Sequence, residues 1–241
     1  MSAGVEWPVR RPRYTIVQIS DPHVPAGGVL FDRVDGCARV QASVEMIAAA
    51  GCSPDLLVLS GDMADRGEAE AYVRLRPVID AALQRFGARL LVAPGNHDDL
   101  ALLRAHLLGR KPDRGPLDEV VRVRGLRLIG MDSTVPGEVH GELDDAQLEA
   151  LANELAEPAA DGTVIVVHHP PIWSTVWVSP STGSHADVLA RDGFRGHAGG
   201  GFTRIDMLDD GEIVATFVPL TGRDEILYEV RADESELRPA A

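Results

Sequence analysis

The chain has 241 residues, enough for one large domain or two small ones, and its 37 acidic against 23 basic residues give a net charge of −14. That sign disfavours nucleic-acid polymers, which are held through counterion release onto basic surfaces. Its 45% hydrophobic and 25% charged residues are those of a soluble globular protein, and without a run of 18 apolar residues the expectation is a cytoplasmic protein with no membrane partner.

Residues 1–12 read as a flexible leader, and residues 13–241 as a single domain. The apolar run over residues 14–20 predicts a first strand, ending at Asp21-Pro22-His23. A helix follows over 33–50, with Cys37, Val40, Val44 and Ile47 at helical spacing and Gly51 as its stop. Cys37 and Cys52 flank this helix, match no metal-ligand spacing, and read as small buried hydrophobes in a reducing compartment.

A second buried strand over 55–60 ends at Gly61-Asp62. The helix predicted over 69–86 contains Pro77, which should kink or divide it. A third strand over 89–93 runs into Gly95-Asn96-His97-Asp98, and 100–108 reads as a short helix. Strands are then expected at 120–123 and 126–131. Asp144 and Gln147 form a capping box for a helix that should turn Leu148, Leu151 and Leu155 inward. The β-branched run 163–167 predicts a fully buried strand ending at His168-His169-Pro170-Pro171. Three weaker strands, at 176–179, 202–208 and 212–218, close the chain, the last two joined by the hairpin signal Asp209-Asp210-Gly211. Strands alternating with helices argue an α/β layered fold, and the late strands argue a second sheet beside the first.

Polar side chains thus gather at the carboxyl ends of successive strands: Asp21, His23, Asp62, Asn96, His97, Asp98 and His168. Asp-x-His spacing puts both donors on one side of an extended segment. Mixed oxygen and nitrogen donors suit Mn, Fe, Zn or Co better than Ca, which takes oxygen alone. They also outnumber the needs of one four-coordinate ion. Two ions sharing one carboxylate would use them all, and such pairs stabilise both the attacking and the leaving oxygen in phosphoryl displacement.

Asp21-Pro22-His23, Gly61-Asp62, Gly95-Asn96-His97-Asp98 and His168-His169-Pro170-Pro171 together resemble the ordered motifs of the calcineurin-like metallophosphoesterases, closest to their bacterial cyclic-nucleotide branch. The resemblance implies a β-sandwich flanked by helices around a binuclear site. It implies that Asp21 and His23 hold the first metal, that Asp62 bridges, and that Asn96 and His168 hold the second. His97 would be the catalytic imidazole. From the residues alone, Asp98 reads as a helix N-cap or a partner behind the ligands, and His169 as packed in the fold or behind the ligands. The implied reaction is hydrolysis of a 3′,5′-cyclic nucleotide or a similar small phosphodiester by metal-activated hydroxide.

The resembled family carries a further Gly-His-x-His motif, giving one ligand to each metal. In Gly196-His197-Ala198-Gly199 the second imidazole is replaced, and the stretch bearing the motif reads as missing between Trp173 and Thr175, which leaves His197 a possible but disfavoured metal ligand. The second sheet is then truncated, and its exposed edge would be covered by a homodimer. Two alternatives follow: a degenerate, weakly active or non-catalytic homologue acting as a binding protein, and a phosphomonoesterase using the same site.

Overall fold

Three short apolar runs form the parallel centre of a sheet, β1 (Tyr14–Ile19), β2 (Leu56–Ser60) and β3 (Arg89–Ala93), in the order β1-β2-β3. In register, Ile19 lies opposite Leu59 and Ser60 opposite Ala93, so all three strands end at the same edge. The computed structural model describes residues 11–169, 201–220, 225–230 and 238–239. Most of the 1–12 leader, the strand expected at 176–179, and His197 lie outside the described residues.

Antiparallel strands β7 (Gly201–Met207), β8 (Ile213–Pro219), β9 (Glu225–Val230) and β10 (Arg238–Pro239) extend the sheet beyond β1 to seven. β7 and β8 match the strands expected at 202–208 and 212–218, but β7 pairs with β1, so they extend the first sheet instead of forming a second one; β9 and β10 carry no expectation from the sequence. Among the described residues a second sheet has three strands, β4 (Glu119–Val123), β5 (Leu126–Met131) and β6 (Thr163–Val167), with β6 parallel to β5.

Strand alternation builds two cores. Val17, Ile19, Leu57 and Leu59 face the helices α1 (Gly36–Ala49) and α2 (Ala69–Phe86), while Tyr14, Ile16, Leu56 and Val58 meet Val121, Leu126 and Leu128 of the second sheet. The sheets converge at Gly130, where an added Cβ would lie 3.1 Å from Leu91 Cδ1 and 3.3 Å from the Val92 carbonyl oxygen. After the short α3 (Leu100–Leu102), α4 (Asp145–Ala156) lies on the far face of the second sheet, bonded through the buried Arg127, which donates to the Glu157 carbonyl at 2.9 Å. The architecture is therefore a two-sheet sandwich with helices outside, and among the described residues its second sheet is small, as expected.

Pro77 does not divide α2, which runs unbroken over 18 residues. The carbonyl that Pro77 leaves without a donor belongs to Val73, on the solvent side at 53% exposure, where water can satisfy it. In α4 it is Gln147 that is buried, with Leu148 and Leu155 at 46% and 42% exposure. The capping box turns Gln147 inward, where its amide donates to Asp118 Oδ1 at 3.0 Å and to the Asp132 carbonyl at 2.8 Å. β6 is half-buried rather than buried, because it ends its sheet among the described residues. No helix among the described residues is long and apolar enough to cross a membrane.

Gln147→Ala removes the side-chain donor to the carbonyl of the buried Asp132, while the exposed Asp118 keeps its bond from Asp132 N–H at 2.8 Å, and should lower unfolding free energy by about 1–3 kcal/mol in denaturant titration.

Candidate metal centre

Loops leaving β1, β2 and β3 at the shared edge are zipped together by backbone hydrogen bonds. Asp21 N–H donates to the Gly61 carbonyl at 3.1 Å, His23 N–H to the Asp62 carbonyl at 2.9 Å, and Val24 N–H to the Met63 carbonyl at 3.0 Å. This pairing continues the β1–β2 ladder past the strand ends, but in an unusual backbone. Asp21, His23 and Asp62 have φ of 53°, 42° and 50°, half of the six non-glycine residues with positive φ among those described. Left-handed backbone in residues bearing a Cβ costs about 1–3 kcal/mol each and concentrates at functional sites.

The carboxylate of Asp62, buried at 5% exposure, is the centre of the site. Its Oδ2 lies 3.5 Å from His23 Nε2, and its Oδ1 lies 3.6 Å from His168 Nε2. His97 N–H donates to Oδ1 at 3.0 Å. Asp21, Asp62 and His168 each offer a donor atom within 4.8 Å of one another, an arrangement that fits a metal ion. Each oxygen of one carboxylate thus faces a different imidazole.

Two imidazoles have settled tautomers. His168 Nδ1 lies 3.0 Å from the Ser60 carbonyl oxygen, and His97 Nδ1 lies 2.5 Å from the Asp65 carbonyl oxygen. A carbonyl only accepts, so each Nδ1 carries a proton and Nε2 is the ring nitrogen left to face the site. In His168 that nitrogen is the one near Asp62. His97 is exposed, packs edge-on against His23 at 4.7 Å between ring centroids, and stands at the open side of the site. Asn96 is half-buried between Gly95 and His97 at the same tip.

Asp98 ties the loops from behind. Its carboxylate accepts from the backbone N–H of Met63 (3.2 Å), Ala64 (3.0 Å) and Gly95 (3.0 Å), and from the Tyr72 hydroxyl (3.0 Å). Burial pushes its carboxyl up to about 6, against the downward pull of the amide donors. The same Tyr72 hydroxyl accepts from Asp99 N–H at 3.0 Å, and burial drives its ionisation upward. His169 points elsewhere: its Nδ1 lies 2.7 Å from Ser133 Oγ at the end of β5, and burial lowers its pKa.

Glycine is required at two places. A methyl group on Gly95 would overlap the Asp62 carboxylate, and one on Gly61, whose φ is 99°, would overlap the His168 ring. The structure therefore gathers Asp21, His23, Asp62, Asn96, His97 and His168 at one edge, backs them with Asp98, and sets His169 beside them, its ring 5.0 Å from that of His168. The sequence reading missed Asp65, whose carboxylate oxygen lies 3.7 Å from His23 Nδ1. Its one trace in the sequence is the Asp62-x-x-Asp65 spacing, which in an irregular loop has no periodicity to read.

The family profile of the calcineurin-like phosphoesterases matches residues 14–200. The chain belongs to that family. A "Probable cyclic nucleotide phosphodiesterase" of Rhodococcus erythropolis is 41% identical over 169 residues, covering 70% of this chain and 56% of that protein. A cAMP/cGMP dual specificity phosphodiesterase of Mycobacterium tuberculosis is 44% identical over 167 residues, covering 69% and 52%. The chain thus spans about half the length of these curated relatives. Among solved structures, a dimetal phosphatase from Danio rerio superposes with a TM-score of 0.57 at 12% identity, covering 90% of this chain and 99% of that one, which shows the shared fold.

Because the raised Asp98 carboxyl holds its proton more tightly in the folded state than at the usual aspartate value of 3.8, its contribution to stability is greatest below that value and is lost as pH rises through about 6. In chelator-treated protein, Asp98→Asn should therefore gain on the parent by roughly 3 kcal/mol between pH 4 and pH 7, read from urea midpoints at each pH.

Proposed function

We propose that this chain is a metal-dependent phosphodiesterase acting on small phosphodiesters of the 3′,5′-cyclic-nucleotide class. The observation that carries the reading is the Asp62 carboxylate, whose two oxygens face His23 Nε2 and His168 Nε2 at 3.5 and 3.6 Å. A carboxylate so placed is suited to two ions at once. Asp21 and His23 would hold one, Asn96 and His168 the other, and Asp62 both. The donor set fits borderline ions such as Fe, Mn, Zn or Co. When bound, a pair of such ions polarises the phosphoryl oxygens and lowers the pKa of water to near neutrality.

The chain's own residues supply the rest. His97 stands exposed with Nδ1–H fixed on the Asp65 carbonyl, so its Nε2 is free to take a hydrogen bond or, once protonated, to give a proton to the leaving ester oxygen. Asp98 supports this by holding Gly95, Met63 and Ala64, which fixes the loop carrying His97 against the loop carrying Asp62. Ser60 orients His168. The His169–Ser133 bond anchors the β6 tip to β5.

The relatives named as cyclic nucleotide phosphodiesterases support this substrate class, and the acidic chain suits a small ester better than a nucleic-acid polymer. A cytoplasmic location is consistent with two free cysteines.

With Mn-loaded protein and a 3′,5′-cyclic nucleotide as substrate, His97→Ala should lower kcat by about 10²–10⁴-fold, the usual size of a lost general acid. Hydrolysis unaffected by this substitution, or absent in the metal-loaded parent, would overturn the proposal.

A further inference from the structure

Beside the metal edge lies a cavity of about 240 Å³ that none of the gathered ligand residues lines. It sits between two chain segments. Leu100, Arg114 and Pro116 follow the β3 tip, and Leu100 is only two residues past Asp98. Asp132, Val135, Pro136, Glu142 and Asp144 follow β5. That second segment abuts the metal edge. Ser133 Oγ lies 2.7 Å from His169 Nδ1, and a methyl group on Gly141 would overlap the His169 ring, which stands 5.0 Å from that of His168. The segment is also closed on itself, by a bridge between Thr134 and Gly141 and by Glu142 N–H donating to the Ser133 carbonyl at 3.0 Å. The cavity wall is therefore preformed.

The lining restricts what can enter. Three carboxylates outnumber the one guanidinium, Arg114, which already lies 3.3 Å from Asp99 Oδ2. Such a lining repels an anion, so a substrate's phosphate belongs at the metal edge and not here. Asp132 is spent on the fold, accepting from Thr134 N–H and Oγ1–H at 2.9 and 2.7 Å and from Leu117 N–H at 2.9 Å. Glu142, 3.4 Å from the exposed His140, and Asp144 Oδ2 accept from no backbone amide among the described residues, and so are open to N–H donors of a ligand. Leu100, Pro116, Val135 and Pro136 add apolar surface for a flat ring. Arg114, 80% exposed and held at one edge by Asp99, keeps its planar faces for stacking. Pockets for whole ligands measure roughly 300–1,000 Å³, so this one takes a single ring and not an entire nucleotide.

We propose that this cavity is the base subsite: it takes the amino-bearing heteroaromatic ring of a purine nucleotide, with Arg114 stacked on the ring and Glu142 accepting from its exocyclic amine. The inference rests on the reading of the chain as a cyclic-nucleotide phosphodiesterase, and names the residues that would recognise the nucleoside while the phosphate lies at the metal edge.

The test uses adenosine, which carries the ring without a phosphate, in saturation-transfer NMR on zinc-loaded protein. The adenine ring protons should receive transfer in the parent. Arg114→Ala should weaken adenosine affinity about 2–5-fold, the size of an exposed guanidinium–ring contact. Val135→Trp, which fills the cavity, should abolish the transfer. Arg114 is exposed, so its replacement keeps the test open if the bulky Trp disturbs the fold. In manganese-loaded protein, Arg114→Ala should raise KM for a 3′,5′-cyclic purine nucleotide about 2–5-fold with little change in kcat, because the group touches the base and not the phosphorus.

No transfer in the parent, or transfer that neither substitution weakens, would overturn the proposal. So would displacement of adenosine by choline, since the acidic lining would then serve an ammonium group. The two readings fail separately. A parent that binds adenosine through Arg114 but hydrolyses no cyclic nucleotide refutes the function, and one that hydrolyses it without Arg114-dependent binding refutes the subsite.

Discussion

Everything at this site turns on placing one buried carboxylate between two imidazoles. Asp62 sits at 5% exposure with His23 on one oxygen and His168 on the other. A buried negative charge is expensive unless it is compensated by donors or cations. Only the His97 amide donates directly to it among the described contacts, with two imidazoles close by. The fold therefore holds a carboxylate whose demand for positive charge is only partly met by the protein. That unmet demand, more than any single distance, is what the proposed metal ions would satisfy.

The scaffold explains how such an arrangement persists. Three parallel strands deliver their loops to one edge, and hydrogen bonds from Asp21, His23 and Val24 to residues 61–63 continue the ladder beyond it. Asp98 binds three further backbone amides at the rear. These bonds offset the left-handed conformations of Asp21, His23 and Asp62. Gly61 and Gly95 are the points where no side chain fits, because the His168 ring and the Asp62 carboxylate occupy that space. The second sheet contributes from across the sandwich, sending His168 from β6 to the carboxylate that β2 carries.

Much of this was legible in the sequence for a physical reason. Polar groups that end apolar runs cannot belong to the strand interior, so Asp21, Asp62, Asn96, His97 and His168 mark a common edge in the sequence itself. Their order also matched a family. What stayed hidden depends on packing between segments distant in the chain. Asp65 reaches His23 only through pairing of two irregular loops. Gln147 displaces the leucines of α4 because two acceptors, Asp118 and the Asp132 carbonyl, wait beneath it. Pro77 is harmless because the carbonyl it frees faces water. The β-branched run of β6 reads as doubly buried although it lies at the end of its sheet among the described residues.

The most direct test of the shared-carboxylate account is the number of ions held per chain, measured by plasma mass spectrometry on manganese-loaded protein after desalting, for the parent and for Asp62→Asn. If Asp62 serves two ions, the parent retains two per chain and Asp62→Asn retains neither. A parent that holds a single ion, or an Asp62→Asn variant that keeps two, would contradict it.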